Sequence, residues 1–158
     1  MSTTHSERLA GLGLTLPDVP APVAAYVPAV RSGDLVHTSG QLPFTGGELP
    51  LTGKVGRGEG LVDPVSAQQL ARTCALNAVA AAASAAGGLD AIEAVVKVVV
   101  FVASDPAFTG QPAVADGASG LLGEVFGDAG RHARSAVGVS VLPLDSPVEV
   151  EVTVRVRS

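Results

Sequence analysis

Two arginines and a histidine fall within four residues in the stretch GRHARSAVGV, Gly130 to Val139, of a 158-residue chain whose charged fraction is only 16%. A guanidinium is a planar fork of N–H donors that stays charged at physiological pH, and it matches a carboxylate best when two parallel hydrogen bonds form. If 132–141 is a strand, alternation puts Arg134, Ala136, Gly138 and Ser140 on one face and Ser135, Val137, Val139 and Val141 on the other. Arg134 then stands among very small neighbours, which leave room beside it for a small carboxylate. The same arginine could instead pair with Glu149 or Glu151 and serve only the sheet, since strand arginines are commonly paired or solvated. Spacing alone leaves both readings open. Arg131 and His132 fall at the start of the strand.

Other chemistries find less support. His5, His37, His132 and Cys74 lie far apart with no metal-ligand spacing. GASG at 117–120 is one residue short of a nucleophile elbow and lies in a helix-like segment, and GRGEG at 56–60 has neither a leading strand nor a following Gly-Lys-Ser/Thr. The lone Cys74 excludes an intramolecular disulfide and fits a reducing compartment, packed within a helix. Ten Lys plus Arg against fifteen Asp plus Glu give a net charge of −5, the wrong sign for a protein that lives on nucleic-acid phosphates. The opening residues MSTTHSERLAGLGLTLPD do not read as a secretory signal, and no apolar run approaches the roughly 20 residues of a spanning helix. The expectation is a cytoplasmic protein that contacts neither nucleic acid nor membrane.

The elements that must position these groups are legible in outline. The length fits one domain, with residues 1–20 as a partly ordered leader laid across the surface and 21–158 as the folded unit. Hydrophobic residues make up 47% and aromatic ones 3%, with a mean hydropathy of +0.41. The core must therefore be built from Ala, Val and Leu, and the apolar excess points either to contacts between copies or to an alanine-rich composition. AAYVPAVRSGDLVHTSG predicts a hairpin turning at Arg31–Asp34, and residues 41–60 a long excursion with one short strand at 49–52. Asp63-Pro64 predicts a helix start and Gly87-Gly88 its stop. AVVKVVVFVAS at 94–104 predicts a central strand buried on most of both faces, 114–126 a second helix despite three glycines, and Val148–Val156 a half-buried strand by period two. Adjacency predicts that the last two strands pair as a hairpin. The order implies an α/β (α+β) fold, two helices covering one face of a mixed sheet.

Three segments in order, APVAAYVPAVRSGDLVHTSGQLP at 21–43, HARSAVGVSVLP at 132–143 and PVEVEV at 147–152, resemble the hallmark stretches of the Rid family of enamine/imine deaminases, also called the YjgF or endoribonuclease L-PSP-like family. The resemblance spans about residues 20–156. It implies a chorismate-mutase-like fold assembled as a homotrimer, with sites in clefts between subunits and with the last strand central in the sheet, away from the strand before it. It further implies that Arg134 clamps a substrate carboxylate, that Glu149 positions or activates water, that Tyr26 walls the pocket and that Ser39 is a polar pocket residue. The reaction would be hydrolysis of a 2-imino or 2-amino-enoic acid to a 2-keto acid and ammonia, with no metal or organic cofactor.

Departures mark a divergent branch. Ala136 stands where the family often has cysteine, His132 where proline is frequent, and Asp116 about where asparagine is usual. The clamp is intact, while the pocket wall and charge differ. An alternative from a different class is a non-catalytic trimer that binds a small carboxylate as a sensor or as partner of a metabolic enzyme.

Overall fold

The structure, a computed structural model, describes residues 2–22 and 24–158. Five strands form one mixed sheet: β1 (Ala29–Ser32), β2 (Leu35–Thr38), β3 (Ile92–Ala103), β4 (Ala133–Val139) and β5 (Val148–Val156). Their order is β1-β2-β5-β3-β4, every pairing antiparallel except β3 with β4. The last strand is therefore central and β4 is an edge. The hairpin expected between β4 and β5 does not form. A βαβ crossover through α3 (Gln111–Phe126) delivers β4 parallel to β3, and the Pro143–Asp145 turn then carries the chain past β3 to its far side.

α2 (Pro64–Ala86) begins as its sequence requires. The Asp63 carboxylate accepts from the Ser66 amide at 2.9 Å and its hydroxyl at 2.6 Å, Pro64 occupies a position that needs no donor, and Gly87 at φ 90° ends the helix. Its Ala67, Ala71, Cys74, Ala75, Ala78 and Ala82 are all fully buried on the sheet. On β5 the even-numbered valines 148 to 156 are buried and the residues between them are not, so the helices cover one face of the sheet. Burying each valine contributes roughly 1.5–3 kcal/mol relative to exposure.

β3 departs from the expectation of burial on both sides. Val98, Val100 and Val102 are buried beneath the helices, whereas Lys97, Val99 and Phe101 on the opposite face are only half-covered. Val30 and Val137, 52% and 44% exposed, share that open face. The residues at 49–52 form no strand. The ladder contacts of the excursion are bridges of Gln41 with Val150, of Thr45 with Glu48 and of Val55 with Val62 and Ser104, and Pro50 and Gly53 interrupt the stretch between the last two.

The expected leader contains a third helix, α1 (His5–Gly11). Thr4 and Glu7 form a reciprocal capping box, Ser6 binds Asp90, Leu9 is buried, and the His5 ring meets Phe126 edge to face at 4.8 Å. Apolar periodicity is too brief in seven residues to show this. The cap and the docking contacts hold a helix that would be marginal alone.

The three glycines of α3 do different work. A Cβ on Gly117 would lie 1.9 Å from the Gln68 carbonyl oxygen on α2, while one on Gly120 would meet open space. Gly117→Ala should therefore destabilise the protein by about 1–3 kcal/mol in chemical denaturation. Gly120→Ala should stabilise it by about 0.5–1 kcal/mol through helix propensity.

Candidate functional site

Arg134 projects from β4 toward α3. Its Nη1 donates to Asp116 Oδ1 at 2.8 Å and to Ser119 Oγ at 3.2 Å, and its side chain is 25% exposed. The partner is thus Asp116, neither Glu149 nor Glu151, because β3 separates β4 from β5 and both glutamates lie on the opposite face of the sheet. Both hydrogens of Nη1 are used. Among the described residues neither Nη2 nor Nε has a hydrogen-bond partner, so the side-on edge of the guanidinium retains its donors. The Asp116 side chain is 63% exposed, which makes the ion pair an orienting contact of small energetic weight.

Small neighbours surround this arginine, as strand parity implies. Ala136 is half-buried on the same face and packs on the core, and a Cβ on Gly138 would come within 2.8 Å of Gln111 Nε2. His132 stands at the foot of the strand with Nδ1 2.6 Å from the Gly130 carbonyl and Nε2 2.9 Å from Ser119 Oγ.

A second group lies around a hollow of about 480 Å³ lined by Tyr26, Gly40, Gln41, Phe44, Leu144 and Glu149, among others. Prolines 20, 22, 28 and 143 stiffen its wall. Glu149 is half-buried here, and a Cβ on Gly40 would lie 1.8 Å from its Oε1, so a side chain at position 40 would push the carboxylate out of this place. Burial, and secondarily the neighbouring Glu151, raise the Glu149 carboxyl above the ordinary value of 4.5. The buried Cys74 thiol is raised well above its usual value, first by burial and then by Glu149. Leu144 and Asp145, at φ 58° and 57°, hold a left-handed turn that is rare outside glycine, and Leu144 stands at the rim of the hollow.

The two groups do not meet within one chain. Register places Glu149 opposite Phe101 and Phe101 opposite Val137, while Arg134 lies opposite Val98, which faces Val152. Arg134 therefore belongs to the helix-covered face and Glu149 to the open one. They are displaced by roughly 10 Å along the strands and roughly 10 Å across the sheet.

Of the residues singled out in the sequence, Tyr26 and Glu149 come together in the hollow; Arg134, Asp116 and Ala136 come together beside α3. Ser39 serves a structural bond, its Oγ donating to the Val27 carbonyl at 2.7 Å. Sequence reasoning missed Ser119 and Gly40. Ser119 gives a weak signal, one turn after Asp116 on the same helix face, while nothing in the sequence ties Gly40 to Glu149. Among the described residues no group of three or more His, Cys, Asp or Glu is placed to hold a metal ion, and no helix is long and apolar enough to cross a membrane.

A family model described as "YjgF/chorismate_mutase-like, putative endoribonuclease" matches residues 6–155. Protein TCP17 of Trypanosoma cruzi is 44% identical over 163 residues, covering 100% of both chains. The crystal structure of a protein of unknown function from Agrobacterium tumefaciens superimposes with a TM-score of 0.88 at 44% identity, over 98% of this chain and 94% of that one. Escherichia coli TdcF with bound serine superimposes with a TM-score of 0.62 at 28% identity, over 89% of this chain and 94% of that one.

The raised carboxyl of Glu149 has a signed consequence. The native state holds its proton at pH values where the unfolded chain has released it, so the wild type loses stability as pH rises from about 4.5 through the higher native value. Glu149→Gln should melt at a higher temperature than the wild type at pH 7. The two should converge below pH 4.5, as followed by thermal unfolding across pH.

Proposed function

This chain belongs to the YjgF/chorismate mutase-like family, and we propose that it hydrolyses 2-imino or 2-amino-enoic acids to 2-keto acids and ammonia in sites built between copies of a homotrimer. The observation that carries this reading is the Nε/Nη2 edge of Arg134, left without an intramolecular partner on a strand of small side chains. Serine bound to TdcF gives a family member holding a ligand with an α-carboxylate, the group such a fork suits.

The chemistry asks little beyond placement. A 2-amino-enoic acid first gains a proton at C3 and loses one from nitrogen to become the imine; water then adds to the C=N carbon, a proton reaches nitrogen, and the carbinolamine expels ammonia to leave the ketone. Arg134 orients the carboxylate, and holding the imine in one geometry removes much of the entropic barrier. Glu149 takes the proton from water and returns it toward nitrogen. A carboxyl raised by burial suits that exchange better than an ordinary one. Tyr26 and Phe44 wall the hollow, and no metal or organic cofactor enters these steps.

Arg134 and Glu149 lie on opposite faces of one sheet, so one small molecule spans them only if the edge strand of one copy approaches the hollow of another. The open face supports such assembly, since Val30 and Val137 are exposed on it beside half-buried Val99 and Phe101. Family membership supports three copies. Arg134 and Ser119, the groups that need burial from solvent, lie beside the free edge of β4.

An amino-acid oxidase that generates 2-imino acids in situ, with semicarbazide competing for the imine, provides the assay. The protein should accelerate keto-acid release, Arg134→Ala should lower kcat/KM about a hundredfold or more, and Glu149→Gln should lower kcat by about 10²–10⁴. No acceleration across several amino acids overturns the reading; binding of keto acids without turnover supports the non-catalytic carboxylate binder instead. Light scattering should give the mass of three chains, and Val137→Glu should yield inactive monomers.

A further inference from the structure

His132 and Ser119 have no part in the reaction just described, yet they form one hydrogen-bonded chain with Arg134. The Gly130 carbonyl can only accept, so His132 Nδ1 carries the hydrogen of the 2.6 Å bond, and in the neutral ring Nε2 is the acceptor. Ser119 Oγ, 2.9 Å away, must then donate its single hydrogen to Nε2. Its lone pairs accept from Arg134 Nη1 at 3.2 Å, and the other Nη1 hydrogen goes to Asp116. With a neutral His132 ring the chain from Gly130 to Asp116 runs in one direction through every link.

Its ends are fixed by the fold. Gly130 is buried, and a Cβ there would lie 2.4 Å from the Leu122 carbonyl oxygen, so the carbonyl that aligns His132 is seated on the helix that carries Ser119 and Asp116. Two of the three members that fix the guanidinium, Ser119 and Asp116, come from one face of α3, and the third link, His132, lies just before β4, two residues ahead of Arg134. A flexible arginine has several rotamers, and the bonds at Nη1 hold the one seen here, in which Nε and Nη2 are left unpaired side by side.

We propose that His132 and Ser119 are positioning residues that act through Arg134, consuming both hydrogens of Nη1 together with Asp116 so that the Nε/Nη2 edge is held ready for a carboxylate. This rests on the carboxylate-clamp reading of Arg134 above. It gives a role to the histidine that stands where the family frequently has proline: a proline cannot receive the hydroxyl hydrogen of Ser119.

The test uses the full-length protein and pyruvate as the carboxylate probe, with affinity read by calorimetry and the order of the Arg134 side chain by the ¹H–¹⁵N heteronuclear NOE at Nε. Ser119→Ala and His132→Gln should each weaken pyruvate binding about tenfold and lower the NOE at Nε. Ser119→Thr, which keeps the hydroxyl, should restore affinity to within about twofold, and the Ser119→Ala/His132→Gln double variant should bind no worse than either single one, because both break one chain. Wild-type affinity in Ser119→Ala and His132→Gln, with binding lost in Arg134→Ala, overturns the positioning role and leaves the clamp. So does a loss of affinity that Thr does not restore and that leaves the NOE at Nε unchanged. Undiminished binding in Arg134→Ala overturns the clamp itself and the positioning role with it. Where Ser119→Ala does not fold, His132→Gln with its NOE decides alone.

Discussion

The register of β5 between β2 and β3 sets Val150 opposite Val100 and Glu149 opposite Phe101, and the division of labour between the two faces of the sheet follows from it. Even-numbered valines turn toward α2 and α3 and build the core; odd-numbered polar residues turn outward. A slip of one residue would expose the core valines and bury Glu149 and Glu151 beneath the helices, so the hydrophobic energy of the whole face enforces the pairing. The same register carries through β3 to β4. It decides that Arg134 looks toward α3 while Glu149 looks away from it.

Close approach is the other theme, and it stems from the scarcity of large side chains. With aromatic residues at 3%, the layers are brought together by alanine on α2 and by glycine where backbone or carboxylate must be nearest. Gly117 lets α3 lie on α2, Gly130 seats the loop before β4 on α3, and Gly40 admits the Glu149 carboxylate. The last of these has an electrostatic cost: a charge taken partly out of water beside a second glutamate is less stable than one in solvent. A site whose carboxyl is held above its ordinary range is therefore also a local weakness of the fold.

Much of this was legible along the chain. Asp63-Pro64 and Gly87 bound α2 because capping chemistry is local, and the alternation of Val148–Val156 announced β5 to the residue. The resemblance carried by HARSAVGVSVLP and PVEVEV placed β5 in the middle of the sheet, where sequence adjacency alone had paired it with β4. Other features were not legible. α1 depends on contacts of His5 with Ile92 and of Ser6 with Asp90, more than eighty positions away, and the half-covered face of β3 looks, in a run of valines, identical to a face buried inside one chain. The acidic partner of Arg134 comes from α3 and not from the last strand, since a parallel crossover brings helix and strand together in a way that sequence distance hides.

By itself the sequence determined the local matters: where helices start and stop, which side of each strand is apolar, and that Arg134 stands on a strand face cleared of bulk. These depend on interactions within a few residues, through caps, turns and the period of two. The tertiary structure alone decided which groups share a neighbourhood: Asp116, Ser119 and His132 around one side of the Arg134 guanidinium, Tyr26 and Glu149 around a hollow on the other side of the sheet. The reason is that strand order and register are set by the burial of whole faces, a sum over distant residues that no short segment contains.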